Sequence, residues 1–394
     1  MDQFFNLIFL FKFDSELFVK ILLLSPLPPP VGGIATWTVN ILKYYELKGQ
    51  KESNVNIIHQ NTAIRFRKIT KLSFFSRLIS GIQDGARTFI IFIYYLLKYK
   101  PDVIHLTSSG SLGLWKDILF VYIAKLFNIP LTMHFRFGRI PEISKLNNWE
   151  WKVLRKVISL SSSVIVLDDN SWNILKDQGF KHIYTIPNPI SESVENIMNI
   201  QKECEFSDKG AYRRVLFVGH VTKNKGMFEL IQSFSLLNNI DELILIGPFE
   251  LEVKNKIIEL AGRKSDKITF TGALDKIEVL TTMKRATVLV LPSYTEGFPN
   301  VIIEAMAMQC PVVATKVGAV ATMLNNGHSN PAGLVVEPKN VEALTEALDF
   351  MISNPEQAKK FADNAYWKVK SEYTLEKVCH QYEKVWTNCV NREI

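Results

Sequence analysis

Short apolar runs recur along the first half of the chain, and each is followed by turn residues and then by a segment with helical spacing. The first run is Lys20–Ser25 (KILLLS). Later runs are Asn54–His59, Asp102–Leu106, Pro130–His134, Val164–Leu167 and His182–Ile186. Short apolar runs bounded by turn residues are typical of buried strands. Strands that alternate with helices predict a parallel sheet covered by helices on both faces.

The same pattern restarts after a polar stretch at 191–210 (SESVENIMNIQKECEFSDKG). The predicted strands of this second half are Arg214–Val218, Leu243–Gly247, Ile268–Gly272, Thr287–Leu291, the run from Val312 and Gly333–Val336. A chain of 394 residues is longer than one hydrophobic core usually serves. The predicted organisation is an N-terminal extension at 1–19, a first domain at 20–190, a linker at 191–212, a second domain at 213–370 and a C-terminal segment at 371–394.

The composition is that of an ordinary globular protein, with 47% hydrophobic and 22% charged residues. Four cysteines are scattered without C-x-x-C spacing, so we interpret them as reduced thiols and expect no zinc site. An apolar run at Phe4–Phe11 is too short to span a bilayer and lacks the positive start of a signal peptide. We therefore expect a frayed or surface-docked extension there.

Positive charge is concentrated in the first half of the chain. Residues 1–190 carry 23 Lys+Arg against 13 Asp+Glu, whereas the remainder carries 23 against 26. No nucleic-acid-binding module is recognisable, so nucleic acid is not the predicted partner. Residues 64–80 mix basic and aromatic or aliphatic side chains without an acid, which suits a helix on an anionic membrane surface. The alternative is a helix packed on the protein with a solvated basic face.

The most informative stretch for chemistry is Leu291–Thr315 (LPSYTEGFPNVIIEAMAMQCPVVAT). It predicts the end of a buried strand, a turn with Gly297 and Pro299, a helix from Asn300 and, after Pro311, another strand. Glu296 lies in the turn, at the sheet edge where α/β proteins bind ligands. Glu304 lies about one turn into the helix, and helical side chains lean back toward the helix start.

Both carboxylates can therefore reach one volume in front of this helix. Backbone N–H groups and the positive end of the helix dipole point into the same volume. An anion that carries hydroxyl groups, such as a nucleotide sugar, would suit it. The alternative is that Glu296 and Glu304 are ordinary solvated residues at a helix end.

Two further turns place glycine between a strand and a helix. Gly33 follows the first strand in a Pro-rich turn and can let a ligand approach the backbone, or can serve the turn alone. The second turn, Gly219–Gly226 (GHVTKNKG), offers Lys225 as a point charge for a diphosphate. Neither is G-x-G-x-x-G, so a dinucleotide site is not supported.

The run Glu296-Gly297-Phe298-Pro299, followed by Glu304-Ala305-Met306-Ala307, resembles the signature of the family 4 retaining glycosyltransferases. The resemblance extends, more weakly, from about Lys20 over nearly all of the chain. It implies the GT-B fold, an α/β fold with two facing Rossmann-like parallel-sheet domains and a deep cleft between them. It also implies that the C-terminal helix, at Thr374–Trp386, crosses back to the first domain and is anchored by Tyr382 and Trp386.

The resemblance assigns roles to residues of this chain. It places Glu296 at the sugar, Glu304 at the ribose hydroxyls and Lys225 at the diphosphate. The backbone amides predicted to surround the diphosphate are those of Gly297, Phe298, Pro299, Asn300 and Val301. Gly33 would face the donor phosphates, Gly318 would lie near the donor, and His134 would be a cleft histidine near the sugar or acceptor. For His134 a structural role is the alternative, and for His105 a structural role is the prediction.

One position departs from the family pattern. The family usually has arginine after the first glycine of the phosphate loop, where this chain has His220. Because histidine is only partly charged near neutral pH, phosphate stabilisation would fall as pH rises, unless Lys223 substitutes.

The resemblance implies transfer of a sugar, with retention, from a UDP- or GDP-sugar to a glycan or lipid-linked glycan of a bacterial surface polysaccharide. No acidic cluster such as D-x-D is found to hold a divalent ion, so we expect no metal requirement and no other cofactor. The expected location is cytoplasmic, with peripheral attachment at the inner face of the membrane. Two alternatives are a sugar-nucleotide epimerase with the same fold and a non-catalytic nucleotide-sugar-binding subunit, for which His220 is the hint.

Overall fold

The computed structural model describes residues 18–29, 32–52, 54–63, 74–200, 212–325, 327 and 329–391. Residues 1–17 of the predicted extension at 1–19 lie outside the described residues. Residues 64–73 of the predicted basic membrane segment at 64–80 also lie outside them. Among the helices that the structure describes, none is long and apolar enough to cross a membrane.

The first sheet has six strands in the order β2-β1-β3-β4-β5-β6. The strands are β1 (Val19–Ser25), β2 (Val55–Asn61), β3 (Val103–Ser108), β4 (Leu131–Phe135), β5 (Ser163–Val166) and β6 (Ile183–Thr185). β1 pairs in parallel with β2 and β3, β3 with β4, and β4 with β5. Ile21–Leu24 is buried along its whole length, as expected for a strand with helices on both faces.

Helices connect these strands. They are α1 (Gly33–Glu52), α2 (Phe74–Tyr99), α3 (Gly113–Leu126), α4 (Ile140–Leu146), α5 (Trp149–Leu160), α6 (Asp169–Asp177) and α7 (Glu192–Ile200). α6 begins at an N-cap, Asp168, whose carboxylate accepts a 2.8 Å hydrogen bond from the Ser171 amide. α2 and α3 pack through Phe89 and Phe92 against Phe120, with ring centroids 4.6 and 4.9 Å apart.

The second sheet has the order β12-β11-β10-β7-β8-β9. Its strands are β7 (Arg214–Val218), β8 (Glu242–Ile246), β9 (Ile268–Gly272), β10 (Val288–Leu291), β11 (Val312–Thr315) and β12 (Leu334–Val336). Every pair of neighbours in this sheet is parallel. The prediction of an α/β fold with two parallel sheets is confirmed.

The helices of the second half are as follows. They are α8 (Met227–Leu236), α9 (Leu251–Ala261), α10 (Lys276–Arg285), α11 (Asn300–Ala307), α12 (Val320–Met323), α13 (Val341–Ser353), α14 (Pro355–Lys368) and α15 (Leu375–Val390). Strands β7, β8, β10 and β11 are buried between them and form one continuous hydrophobic core with α8, α11 and α13.

The chain forms two compact units, and each contains separate parts of the sequence. The first unit comprises the described residues up to Phe135, Trp149–Ile165 and the described residues from His380. The second comprises Arg136–Asn148 and the described residues of Val166–Cys379. The chain thus enters the second unit twice and returns to the first within α15. The domain limits stated from the sequence remain a prediction.

Candidate functional site in the second unit

Two turns meet at the carboxyl edge of the second sheet, because β7 and β10 are neighbours. The turn after β7 runs through a short 3-10 segment, Lys223–Lys225, to Gly226. Gly226 has φ +69°, and a Cβ at this position would collide with the carbonyl oxygen of Pro292, which follows β10. Only glycine allows this backbone conformation and this close approach together. The residue after Lys225 therefore fixes the distance between the two turns.

A second contact joins the same turns. The backbone N–H of Tyr294 donates a 3.0 Å hydrogen bond to the carbonyl of Asn224. The Tyr294 hydroxyl donates to Glu229 in α8 at 2.6 Å. Burial, together with the neighbouring Glu229 carboxylate, raises the pKa of Tyr294 to about 12, so this hydroxyl keeps its proton.

These contacts bring the predicted cation and the first predicted carboxylate together. Lys225 Nζ lies 2.5 Å from Glu296 Oε1. Ser293 Oγ donates to the same oxygen at 2.7 Å. The Glu296 side chain is 13% exposed and the Lys225 side chain 31%. The ion pair therefore stands at the surface of the unit, where a ligand can reach it.

The second predicted carboxylate has a different partner. Glu304, in α11, forms an ion pair with Lys276, the first residue of α10. Asp275 and Glu278 form a capping box that fixes the start of α10 and so the position of Lys276. We did not predict Lys276 as a site residue. The D-x-x-E spacing at 275–278 was the available signal, since it marks where that helix begins.

The turn between Glu296 and α11 is held by backbone contacts. The carbonyl of Gly297 accepts a 2.9 Å hydrogen bond from the Ala319 amide. Gly318, with φ +52°, leaves no room for a Cβ beside the carbonyls of Glu296 and Gly297. Gly138 comes equally close to the Glu296 carbonyl from the loop after β4. This turn is therefore rigid before any ligand is considered.

The predicted residues at the start of α11 are placed mostly by packing. Phe298 is 9% exposed, and its ring lies 5.8 Å from that of Tyr373. Pro299 is buried, Asn300 accepts a 2.8 Å hydrogen bond from Asn188, and Val301 packs on the core. Their side chains are thus engaged within the unit, and Phe298, Asn300 and Val301 can offer a ligand backbone N–H, which Pro299 lacks.

His220 is exposed, directly after Gly219 at the end of β7. It lies on the same loop as Lys225, and its role at a phosphate remains a prediction.

The other two predicted site residues belong to the first unit. Gly33 is the first residue of α1 and is exposed, with open space where a Cβ would lie. His134 is fully buried in β4. Its Nδ1 is 3.1 Å from Nε2 of His105, and His105 Nδ1 accepts a 3.0 Å hydrogen bond from the indole of Trp386.

Aromatic rings surround both histidines. Trp37 packs on His105 and His134 with ring centroids 5.7 and 5.3 Å apart, and Tyr382 lies 5.7 Å from each. This environment favours the structural role for both histidines, and the catalytic role of His134 remains only a prediction.

Comparison with known proteins finds a family match in the second half of the chain. Residues 201–368 match the family model described as "Glycosyl transferases group 1". Over 179 residues the chain is 29% identical to the capsular polysaccharide biosynthesis glycosyltransferase CapM of Staphylococcus aureus, which covers 43% of this chain and 44% of CapM. The chain spans about half the length of the curated relatives that it matches.

Solved structures are similar over nearly the whole chain. Sucrose-phosphate synthase from Thermosynechococcus elongatus has a TM-score of 0.71 at 18% identity, over 94% of this chain and 98% of that one. Anabaena HepE, solved in complex with UDP-glucose, has a TM-score of 0.63 at 17% identity, over 94% and 99%. These similarities show that the fold is GT-B.

Proposed function

We propose that this protein is a retaining glycosyltransferase of family 4 that uses a UDP- or GDP-sugar. The observation that carries the proposal is the partly exposed Lys225–Glu296 ion pair, 2.5 Å long, at the carboxyl edge of a parallel sheet. Ligands of open α/β sheets bind at this edge. The match of residues 201–368 to the group 1 glycosyltransferases supports it, as does UDP-glucose in HepE, a protein of the same fold.

The ion pair suggests how the donor would be received. A diphosphate carries more negative charge than one carboxylate, so it would compete with Glu296 for the ammonium group of Lys225. Glu296 would then be available to accept hydrogen bonds from sugar hydroxyls or to stabilise a positively charged sugar ring. Backbone N–H groups at the start of α11 and the exposed His220 would complete the surroundings of the phosphates.

Glu304 would accept hydrogen bonds from the ribose hydroxyls. Lys276 would orient it, because the ion pair between them fixes the carboxylate against the start of α10. The rigid turn at Gly297 and Gly318 would hold the two glutamates in constant geometry.

In the reaction, the bond from the sugar C1 to the diphosphate breaks and a bond from C1 to an acceptor hydroxyl oxygen forms. Negative charge accumulates on the leaving phosphate, and the acceptor proton ends on the nucleoside diphosphate or in solvent. Fixed positive groups aimed at this charge lower the barrier, and a single such donor contributes roughly 3–4 kcal/mol. The diphosphate leaves without a protonating acid, so the two glutamates need not act as a glycosidase pair. With Lys225 in this role, the proposed reaction needs no metal ion.

The acceptor we propose is a glycan or lipid-linked glycan of a bacterial surface polysaccharide. The support is the similarity to CapM, a protein of capsular polysaccharide biosynthesis. The proposed site of action is the cytoplasmic face of the membrane, with the basic segment at 64–80 on anionic lipid.

The test uses the purified full chain and a panel of labelled UDP- and GDP-sugars, with and without a lipid-linked acceptor. We expect transfer from one donor, and a fall in turnover of roughly 10²–10³-fold for Lys225→Ala and for Glu304→Ala. Lys256→Ala is the matched control, since Lys256 is a surface lysine that pairs with Glu259 on the same helix.

A Lys225→Ala or Glu304→Ala protein that folds normally and keeps wild-type turnover would remove the assignment. Interconversion of sugar nucleotides without an acceptor would favour the epimerase. Donor binding without any turnover would favour the non-catalytic subunit.

A further inference from the structure

Helix α3 of the first unit carries a continuous apolar stripe on its solvent side. Leucine and aromatic side chains recur along it at intervals of three and four residues, and all are strongly exposed. They are Leu112 at 75%, Trp115 at 54%, Leu119 at 50%, Tyr122 at 47% and Leu126 at 80%. The opposite side of the same helix is buried, with Leu114, Phe120 and Val121 fully enclosed. The stripe is therefore not part of the unit's own core.

Helix α2 repeats the arrangement beside it. Ile90, Ile93, Tyr94 and Leu97 are 68%, 37%, 52% and 62% exposed, whereas Phe92 and Leu96 are buried. Because Phe92 packs on Phe120, the two helices are neighbours. We call the two exposed stripes the α2–α3 face: Ile90, Ile93, Tyr94 and Leu97 with Leu112, Trp115, Leu119, Tyr122 and Leu126.

The face is extended by a tryptophan from α5. Trp149 is 46% exposed, and its ring stacks on Trp115 with centroids 6.4 Å apart and planes 11° apart. The α3 stripe alone is about 21 Å long at 1.5 Å per residue. Contiguous apolar surface of this kind marks an interaction site on a monomeric protein.

Most charges on these helices are basic, and the one acid of α2, Asp84, precedes the exposed stripe in the sequence. Lys98, Lys116 and Lys125 lie on α2 and α3 and are at least partly exposed. The sequence has no acid at 85–101, and the only acid of α3, Asp117, is 2% exposed and bonded to Ser108. Lys98 lies over the rings of Tyr94 and Tyr99, so basic and aromatic groups are interleaved.

We infer that the α2–α3 face docks on an anionic lipid bilayer. A partner of this face must offer negative charge next to apolar surface. An anionic bilayer offers both, because its charged headgroups lie above a hydrocarbon layer. Trp and Tyr prefer the boundary between headgroups and hydrocarbon, and lysines extend from there to anionic headgroups. A helix with leucines and aromatics on one side and lysines beside them lies in the plane of this boundary.

Two observations select the bilayer over a second copy of the chain. Pairing two such faces would bring the lysines of both copies together, and like charges oppose association. The sequence before the face is also basic, because residues 53–83 contain Arg65, Arg67, Lys68, Lys71 and Arg77 and no acid. The inference does not depend on sugar transfer.

The test is co-sedimentation of the full chain with vesicles of phosphatidylcholine alone or with 30% phosphatidylglycerol as the probe. We expect binding only to the anionic vesicles, weakened by added salt. The variant Trp115→Ser/Leu119→Ser should lower the partition coefficient roughly a hundredfold. Lys98→Gln, Lys116→Gln and Lys125→Gln should lower it roughly fivefold each.

The matched control is Trp367→Ser/Leu251→Ser, which removes a tryptophan and a leucine that are 62% and 70% exposed on the second unit. It should bind vesicles like the wild type. Circular dichroism and the melting temperature check that all variants fold. With brominated acyl chains, tryptophan quenching should occur in the wild type and fall in Trp115→Ser.

Three results would overturn the inference. One is binding that survives Trp115→Ser/Leu119→Ser. Another is binding lost on neutralising Arg65 and Arg67 alone but unchanged by the face variants. The third is self-association in analytical ultracentrifugation that the face variants abolish without vesicle binding, which would assign the face to a second copy.

Discussion

At the scale of single residues, Asp117 shows how burial changes the chemistry of a side chain. It is 2% exposed in α3, and its Oδ2 accepts a 2.5 Å hydrogen bond from Ser108. Burial raises the pKa of the Asp117 carboxyl to about 6, although the Ser108 hydroxyl and the nearby Lys116 act in the opposite direction. The folded protein therefore holds this proton more tightly than the unfolded chain does.

This pKa predicts a pH dependence of stability. Between about pH 4 and pH 6 the folded state binds more protons at Asp117 than the unfolded state, so its contribution to stability is present at low pH and is lost as pH rises. Asp117→Asn should lack this loss. The unfolding free energy of the variant relative to wild type should increase by the order of 3 kcal/mol between pH 4 and pH 7. Urea denaturation at several pH values measures it.

The control for this prediction is Glu259→Gln, a change at a side chain that is 70% exposed. It should leave the pH profile of stability unchanged. Profiles for Asp117→Asn and wild type that run parallel from pH 4 to pH 7 would contradict the raised pKa.

The sequence indicated the candidate site residues more readily than it indicated the contacts that these residues make. Lys225 and Glu296 each follow a predicted strand, and parallel strands end at the same edge, so their proximity could be expected. The proximity of Lys276 and Glu304 could not be expected, because the pair joins the start of α10 to the middle of α11 and the sequence does not state how these helices pack. The sequence suggested His134 as a candidate because it ends a strand, but it did not show that the rings of residues 37, 105 and 382 pack against it.

At the scale of elements, the strands were the most predictable part of the chain. β7 and β9 begin and end where the sequence predicted, and the other strands agree within two residues at each end. Buried parallel strands are short apolar runs that end abruptly at polar residues, so they are easy to recognise in a sequence. The exposure of the apolar stripe on α3 was harder to predict, because the same spacing of apolar residues is typical of a helix whose apolar side is buried.

The turn at Gly226 provides a prediction for one element. In Gly226→Ala the Cβ would meet both an unfavourable φ and the carbonyl of Pro292, so we expect a loss of about 3 kcal/mol in unfolding free energy. Donor binding should weaken as well, since Lys225 precedes it. Thermal denaturation and donor titration measure the two effects.

The variant Gly179→Ala separates the cost of a left-handed φ from the cost of a steric clash of the new Cβ. Gly179 also has a left-handed φ, of +81°, but a Cβ there meets nothing within 4 Å. This control should cost only about 1 kcal/mol and leave donor binding unchanged. Equal losses in the two variants would show that contact with Pro292 does not hold the turn.

At the scale of the whole molecule, the aromatic cluster of the first unit is completed by the end of the chain. Tyr382 and Trp386, from α15, are fully buried. Their polar atoms bond to the indole of Trp37 and to His105. Residues more than 270 positions apart in sequence therefore form one core.

Trp386→Ala tests this arrangement. Removing a buried tryptophan costs about 3–5 kcal/mol. We expect faster hydrogen–deuterium exchange in β3 and β4, which belong to the first unit, and unchanged exchange in β10 and β11. Peptide-resolved mass spectrometry makes the comparison. Trp367→Ala, at a mostly exposed tryptophan, is the control. Acceleration spread evenly over both sheets would show that the two units unfold as one.

The passage of α15 from one unit to the other has a consequence for how the protein is made. A ribosome releases β1 to β4 early, yet the aromatic cluster that they enclose stays unfinished until residue 386 has emerged. During that interval the half-built first sheet exposes apolar surface, while most of the second unit is already available to fold. Chaperone protection is thus expected to matter most for the nascent first half, even though it is synthesised first.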